Sequence, residues 1–419
     1  MFVYLLLRRQ LISLLVHHTK KHHTFYLLVD CSVCFKKTFL RFILIQFQIY
    51  HFNFLLEILI RIFNFRFTFR LDFDRVFLSL EYSSVRLICN QFKLEKMTVA
   101  SFQVWGGIMR DEQPGGKVKL HDGSEMPMLG FGTYKVGAVP AAAANAANCP
   151  TPRDAGPVLS EAYEVGYRMF DCAQFYENEH VVGPVLKKAA DRESLYILSK
   201  VWPTTIVQGP EAVKEQCRKT ISDLQCDYLD MYMVHWPTPG HHVAAYKAIE
   251  ELKDEGLVRS VAVSNYSIEN LKELQEGGVK ALPTVNQIEI NPWMWRPCTI
   301  NFCRENGIVP MAYRGLERGK ATENVFVQNL CKRHNKTPAQ ILGRWLLQQG
   351  CVHIPKSENK GRMEENKALF DFHLENDEVS LLEKLTNEES MERFQKTHAK
   401  GCLRGSNAES LPTDFVATF

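Results

Sequence analysis

Gly166-Tyr-Arg-Met-Phe-Asp-Cys-Ala-Gln-Phe-Tyr176 places a carboxylate, Asp171, and a phenol, Tyr176, five residues apart at the exit of an apolar run. Tyr167 to Phe170 read as a short buried strand, and Glu177-Asn178-Glu179-His180 opens a helical pattern with acidic residues in its first turn. The pair therefore sits where a strand hands over to a helix. In α/β folds the carboxyl ends of strands carry the active site.

The same unit recurs on both sides of this stretch. Marking each apolar strand by its last residue before a polar exit gives Thr133, Asp171, Lys200, His235, Ser264, Gln287, Tyr313 and Pro355, in steps of 38, 29, 35, 29, 23, 26 and 42 residues. The strands read as Tyr196–Ser199, Leu229–Val234, Ser260–Val263, Thr284–Ile288, Ile308–Ala312 and Val352–Ile354, and amphipathic segments such as Asp154–Val165, Glu211–Leu224, Val243–Glu255 and Pro338–Gln348 lie between strands. Ahead of the first unit, Lys117–Met128 reads as a hairpin turning at Asp122-Gly123. Eight strands alternating with helices over about 250 residues is the rhythm of a (β/α)8 TIM barrel. No Gly-x-Gly-x-x-Gly follows a strand, so the doubly wound dinucleotide fold is the weaker reading.

The chain before the barrel is a different kind of sequence. Residues 1–96 hold 14 Lys/Arg against 6 Asp/Glu and 15 of the 26 Phe, with no Gly, Pro, Ala or Trp. A folded segment of that length needs turn residues, and average usage would supply roughly a dozen Gly and Pro. The longest uncharged run, Phe42 to Leu56, is 15 residues, short of the roughly 20 that span a bilayer. A membrane-surface extension, a transit peptide and untranslated sequence compete here. The missing small residues favour the third, with 1–96 a non-globular extension outside the mature fold and the barrel unit spanning 97–419. Further on, Val139–Pro152 reads as an exposed low-complexity loop and Lys396–Phe419 as an exposed tail able to fold over the pocket mouth.

In a barrel the strand exits share one rim, which brings Asp171, Tyr176, Lys200 and His235 together from neighbouring strands. A phenol is a poor acid at neutral pH; a nearby ammonium favours its anion and lowers its pKa, while a carboxylate keeps the ammonium charged. With a histidine able to hydrogen-bond a carbonyl oxygen, the four form a proton-donating site. Each alone has a plainer reading, as packing or a solvated strand end; it is their joint placement that argues for chemistry. A rim set of Tyr134, Phe175, Trp202, Trp236 and Trp293 offers walls for a substrate pocket.

These residues resemble the aldo-keto reductases: the Gly166–Glu179 stretch, Ser199-Lys200-Val-Trp, Asp230-Met-Tyr-Met-Val-His-Trp-Pro237, Val263-Ser-Asn265, and Ile354-Pro-Lys-Ser357 with Arg362, Glu365 and Asn366. The resemblance covers about Lys117 to Glu383. It implies NADPH-dependent reduction of aldehydes or ketones, with Tyr176 as general acid in a tetrad with Asp171, Lys200 and His235. It further implies that Gln287, Ser264 and Asn265 bind the nicotinamide carboxamide and that Tyr313 stacks on the ring. Thr133 also joins the cofactor contacts, Lys356, Ser357 and Arg362 hold the 2′-phosphate, and Glu365 and Asn366 sit at the adenine. A basic pair flanking Ser before a helix start suits a dianionic phosphate, which argues for NADP over NAD. The chain departs from the family in Tyr313-Arg-Gly-Leu-Glu-Arg-Gly319, where Arg314 replaces the usual Ser, and in short rim loops that imply an open pocket.

The partner implied is a small carbonyl compound, the compartment is cytoplasmic unless 1–96 act in targeting, and family members are usually monomers. After Met97 the chain holds 36 Lys/Arg against 41 Asp/Glu and no basic stripe, so nothing points to nucleic acid. The 12 cysteines show no metal spacing, and Cys31-x-x-Cys34 has no second pair. A non-catalytic NADPH-binding protein on the same barrel, as in potassium-channel β subunits or lens crystallins, is the alternative. A metal-dependent barrel hydrolase would need a ligand set that the strand ends lack.

Overall fold

The computed structural model describes residues 116–137 and 154–403, with the side chains of 318–320 excepted, and the backbone of five strands before residue 80. It divides into two units, residues 1–102 and 103–419. In the first, Phe2–Leu7, Gln10–His18 and Phe25–Cys31 pair antiparallel in one sheet, and Thr68–Asp72 pairs antiparallel with Arg75–Ser79. The Phe42–Leu56 run, Cys34, Met97, the 139–152 loop and residues 404–419 lie outside the described residues.

In the second unit eight parallel strands follow one another in chain order. They are β1 (Phe131–Gly132), β2 (Met169–Asp171), β3 (Tyr196–Val201), β4 (Leu229–Val234), β5 (Val258–Ser264), β6 (Val285–Glu289), β7 (Val309–Tyr313) and β8 (Val352–His353). The two ends of the sheet meet: His353 N donates to Met128 O at 2.9 Å, Gly130 N to His353 O at 2.8 Å and Gly132 N to Pro355 O at 3.0 Å. This closes the barrel. The strands match the sequence reading to within a few residues, the terminal two being the shortest.

Both faces of each strand are covered, so β3 and β4 are buried at every position, as expected of parallel strands enclosed by helices. Side chains alternate across the wall. One parity, with Phe170, Ile197, Tyr232, Val261 and Val263, packs outward against the helices, among them α1 (Ala155–Val165), α2 (Glu179–Ala189) and α3 (Pro210–Asp223). The other, with Met169, Leu198, Met231, Met233, Val285 and Met311, fills the barrel interior, where Leu120 and Met126 of the N-terminal hairpin join it. That hairpin pairs Lys117–Lys119 with Glu125–Pro127 and turns through Gly123 at φ +90°. Asp122 anchors it to β5, its carboxylate accepting from Ser260 Oγ at 2.7 Å.

Counting two residues on from each interior side chain reaches Asp171, Lys200, His235, Ser264, Gln287 and Tyr313. The period of the strand therefore sets these residues as the uppermost inward layer, above a floor of methionine and aliphatic side chains.

After β8 come α4 (Lys360–Lys367), a short helix at Asn376–Leu382 and, last, α5 (Glu388–Cys402). In α5 the expected tail folds over the cavity mouth through Thr397, but as far as Cys402 it is packed rather than exposed: His398 and Cys402 are buried, and a Cβ on Gly401 would meet the Trp236 ring at 2.5 Å. The tail's apolar face, with Phe394, His398 and Gly401 at helical spacing, explains why it packs rather than dangles. Among the described residues no helix is long and apolar enough to cross a membrane.

Candidate active site

Asp171 ends β2, and the chain then bends through Cys172-Ala173 into a single 3-10 turn, Gln174–Tyr176, closed by Glu177 at φ +54°. This brings the Tyr176 hydroxyl back over the strand ends. Lys200, fully buried, donates through Nζ to Asp171 Oδ1 at 2.6 Å, to Cys172 O at 2.9 Å and to Tyr176 OH at 3.1 Å. An ammonium has three protons to donate, and these three acceptors account for them. Tyr176 OH lies 3.3 Å from Asp171 Oδ2. The His235 ring stands edge-on to Tyr176, centroids 6.2 Å apart at 84°.

The protonation of Tyr176 differs from the sequence expectation. Burial first, then the Asp171 carboxylate, push its hydroxyl well above the ordinary phenol value. The Lys200 charge does not win because Asp171, at 2.6 Å, already neutralises it. The phenol is thus held protonated, the form a proton donor needs.

A cavity of about 530 Å³ opens above this layer. Asp171, Tyr176 and His235 line it, with Tyr134, Phe175, Trp202 and Trp236 as walls; Lys200 supports the floor from below. Phe175 and Trp202 stack with centroids 4.0 Å apart. Trp293 does not line it: only 8 % exposed, it belongs to the apolar cluster beneath the β6 exit. The mouth is bordered on one side by α5 through Thr397.

The cavity continues along Ser264, Asn265, Gln287 and Tyr313 to Lys356. Ser264 Oγ donates to Gln287 O at 2.9 Å, and Asn265, at φ +63°, accepts from Tyr313 OH at 2.6 Å. Gln287 Nε2 donates to Asp171 Oδ1 at 2.8 Å, so this amide also fixes the tetrad carboxylate. Thr133 is turned away: it is buried and donates to Asp171 O at 2.8 Å, while Gly132 lines the wall.

Beyond Lys356 the predicted phosphate and adenine residues surround the start of α4. Lys356 Nζ pairs with Glu358 Oε1 at 2.5 Å, Ser357 Oγ bonds the backbone of Asn359, and Asn359 caps the helix through Arg362 N at 3.0 Å. Arg362 and Glu365 are exposed and Asn366 is buried. Lys356 lines the cavity; Ser357, Arg362, Glu365 and Asn366 do not.

Several contacts of the rim escape sequence reading. Arg314, at φ +52°, turns to pair with buried Glu289 at 2.9 Å rather than standing alone in the loop. Glu317 pairs with Arg393 of α5 at 2.5 Å. His353 borders the cavity at 1 % exposure, where burial pushes its imidazole down to about 3. The strand period could have pointed to Glu289 as the last residue of β6; nothing local marks its partner.

A sequence profile decides the family. The profile described as the Aldo/keto reductase family matches residues 128–387. The chain belongs to the aldo/keto reductase family. Its members that this chain resembles include Glyoxal reductase of Bacillus subtilis, 35% identical over 274 residues, covering 65% of this chain and 93% of that protein. Methylglyoxal reductase DkgA of Escherichia coli K12 is 36% identical over 274 residues, covering 64% and 92%. Among solved structures, the aldo-keto reductase of Bombyx mori in complex with NADP superposes with a TM-score of 0.58 at 27% identity, over 64% of this chain and 92% of that one. The chain is accordingly an oxidoreductase of this family.

Proposed function

We propose that this protein reduces small aldehydes or ketones to alcohols with NADPH, Tyr176 acting as the general acid. The observation that carries the reading is the chain Asp171–Lys200–Tyr176, three groups within hydrogen-bond reach whose phenol is held protonated beside an aromatic-walled cavity. A carbonyl oxygen seated between Tyr176 OH and the His235 ring would take the phenol proton, and the Lys200 ammonium 3.1 Å away would stabilise the phenolate left behind. Asp171 keeps that ammonium in place through the 2.6 Å contact.

The residues fit a nicotinamide dinucleotide. Ser264, Asn265 and Gln287 present hydroxyl and amide groups beside the Tyr313 ring, and the cavity ends at a cation, Lys356, with the capped start of α4 and Arg362 just beyond. Amides suit a carboxamide, an aromatic face suits a flat ring, and cations at a helix start suit a phosphate. When bound, the cofactor supplies the hydride; the protein supplies position and the proton. Lys356, Ser357 and Arg362 would hold a 2′-phosphate, with Glu365 and Asn366 at the adenine, and this makes NADPH the expected form. The glyoxal and methylglyoxal reductases among the relatives make small 2-oxoaldehydes the first substrates to try. We expect a monomer working in the cytoplasm.

The test is turnover by the full chain with NADPH or NADH against glyoxal, methylglyoxal, simple aldehydes, ketones and aldoses. Carbonyl-dependent NADPH oxidation that exceeds NADH oxidation is the expected result. Tight NADPH binding without oxidation by any carbonyl would point instead to a cofactor-binding protein.

A further inference from the structure

Tyr176 and Lys200 belong to separate segments, and two side chains outside the cavity chemistry fasten those segments together. Three residues after Tyr176, Glu179 is 4% exposed; its Oε1 accepts from Ser199 Oγ at 2.5 Å and its Oε2 from Thr220 Oγ1 at 2.9 Å. Ser199 immediately precedes Lys200. Two residues before Tyr176, Gln174 Oε1 accepts from Trp202 N at 2.8 Å and Nε2 donates to Thr205 Oγ1 at 2.8 Å. Trp202 follows Lys200 by two. The turn that carries Tyr176 is therefore tied to the β3 exit on each side of the 3.1 Å contact between Tyr176 OH and Lys200 Nζ.

We propose that Glu179 and Gln174 are positioning residues: a clamp that holds the Tyr176 hydroxyl on the Lys200 ammonium, with Glu179 closing its inner side. The catalytic part of this inference rests on the proposed reduction.

The chemistry of Glu179 is unlike that of a stability element. A buried carboxylate is ordinarily paired with a cation; this one is met by two hydroxyl donors. Both oxygens are engaged, and the hydroxyls, which donate or accept, can satisfy the carboxyl in either protonation state. The titratable groups around it are Cys172 just after β2, Lys200 of β3, Tyr232 of β4, and Cys217 and Asp223 of α3. Burial lifts Glu179 to about 7, with Asp223 adding to the rise and the two hydroxyl bonds and Lys200 opposing it. A carboxylate raised in this way favours the folded state below its ordinary value of 4.5 and loses that contribution as pH climbs to about 7. Burying this carboxyl thus costs stability as pH rises toward and past about 7, at a place where it ties the Tyr176 turn to the β3 exit.

The experiment compares the full-length protein with Glu179→Gln and Gln174→Ala, measuring melting temperature at pH 8, NADPH binding, kcat, and the 13Cζ resonance of Tyr176, assigned by its loss in Tyr176→Phe. For Glu179→Gln the expected result is a melting temperature at pH 8 equal to or above that of the parent, NADPH affinity unchanged, kcat reduced about tenfold, as misplacement of a reacting group brings, and a shifted Tyr176 resonance. Gln174→Ala should also shift that resonance and lower kcat. An unmoved Tyr176 resonance in both variants would overturn the clamp, whatever happened to kcat; so would a kcat loss accompanied by a lower melting temperature and an unmoved resonance. If the parent itself turned over no carbonyl, the proposed reduction would fall while the Tyr176 resonance still decided the clamp.

Discussion

The two ends of the cavity are built on different principles. At the β2–β4 end, Asp171 and Lys200 are buried, each polar atom of the Asp171–Lys200–Tyr176 chain is spent on another, and the distances run from 2.6 to 3.3 Å. At the β8 end, the expected phosphate ligands are solvated or locally neutralised: Lys356 leans on Glu358 and Arg362 is exposed. The first end is organised before any ligand arrives. The second must exchange an internal ion pair for a ligand phosphate, so its contribution is a difference between two similar interactions. Substitutions should therefore act on proton transfer and folding at the first end, and on affinity at the second.

The largest loss of stability is expected for Lys200→Met, which leaves the Asp171 carboxylate buried without its cation. Removing one partner of a buried pair costs about 3–5 kcal/mol, read by denaturant unfolding; an unchanged midpoint would put Asp171 on the same footing as Lys356. Next comes His353. Its imidazole stays neutral in the fold down to about pH 3, whereas in the unfolded chain it takes a proton near its ordinary value of 6.5. Stability should fall as pH drops below 6.5, by about 2 kcal/mol at pH 5, and His353→Val should flatten that limb of the pH–stability curve. Lys356→Met follows, with an expected tenfold weaker NADPH affinity, about 1.4 kcal/mol, and little change in NADH affinity by fluorescence titration. The smallest effect is that of Glu358→Gln. Freeing Lys356 from its carboxylate should tighten NADPH binding by roughly two- to threefold, under 1 kcal/mol, and a weaker binding would show that Glu358 orients Lys356 rather than competing for it.

The same contrast explains what was legible in the chain. The barrel is written as repeated local signals: an apolar strand, a polar exit and a capped helix, seen in Thr337 before Pro338–Gln348 and Asp154 before Ala155–Val165. Side-chain alternation along each strand then carries Asp171, Lys200, His235 and Gln287 to one layer, so the tetrad follows from period two and a shared rim. Tertiary contacts were not legible. The Arg314–Glu289 pair joins positions 25 residues apart, and the packing of Gly401 on Trp236 joins a tail to the β4 exit. Neither has a local signature. Nor is the direction of the Tyr176 shift legible in the spacing, for a related reason: burial first, and then the Asp171 carboxylate, outweigh the neighbouring ammonium, and both belong to the fold.

The account stands most directly on Tyr176→Phe, which removes one hydroxyl and leaves the ring and its walls in place. Measured on the full chain, NADPH affinity should stay within about twofold and carbonyl-dependent NADPH oxidation should fall by about 10²–10⁴-fold, the usual contribution of a positioned general acid. Undiminished oxidation in this variant would contradict the central claim and move the proton donor elsewhere in the cavity, with His235 the first residue to substitute.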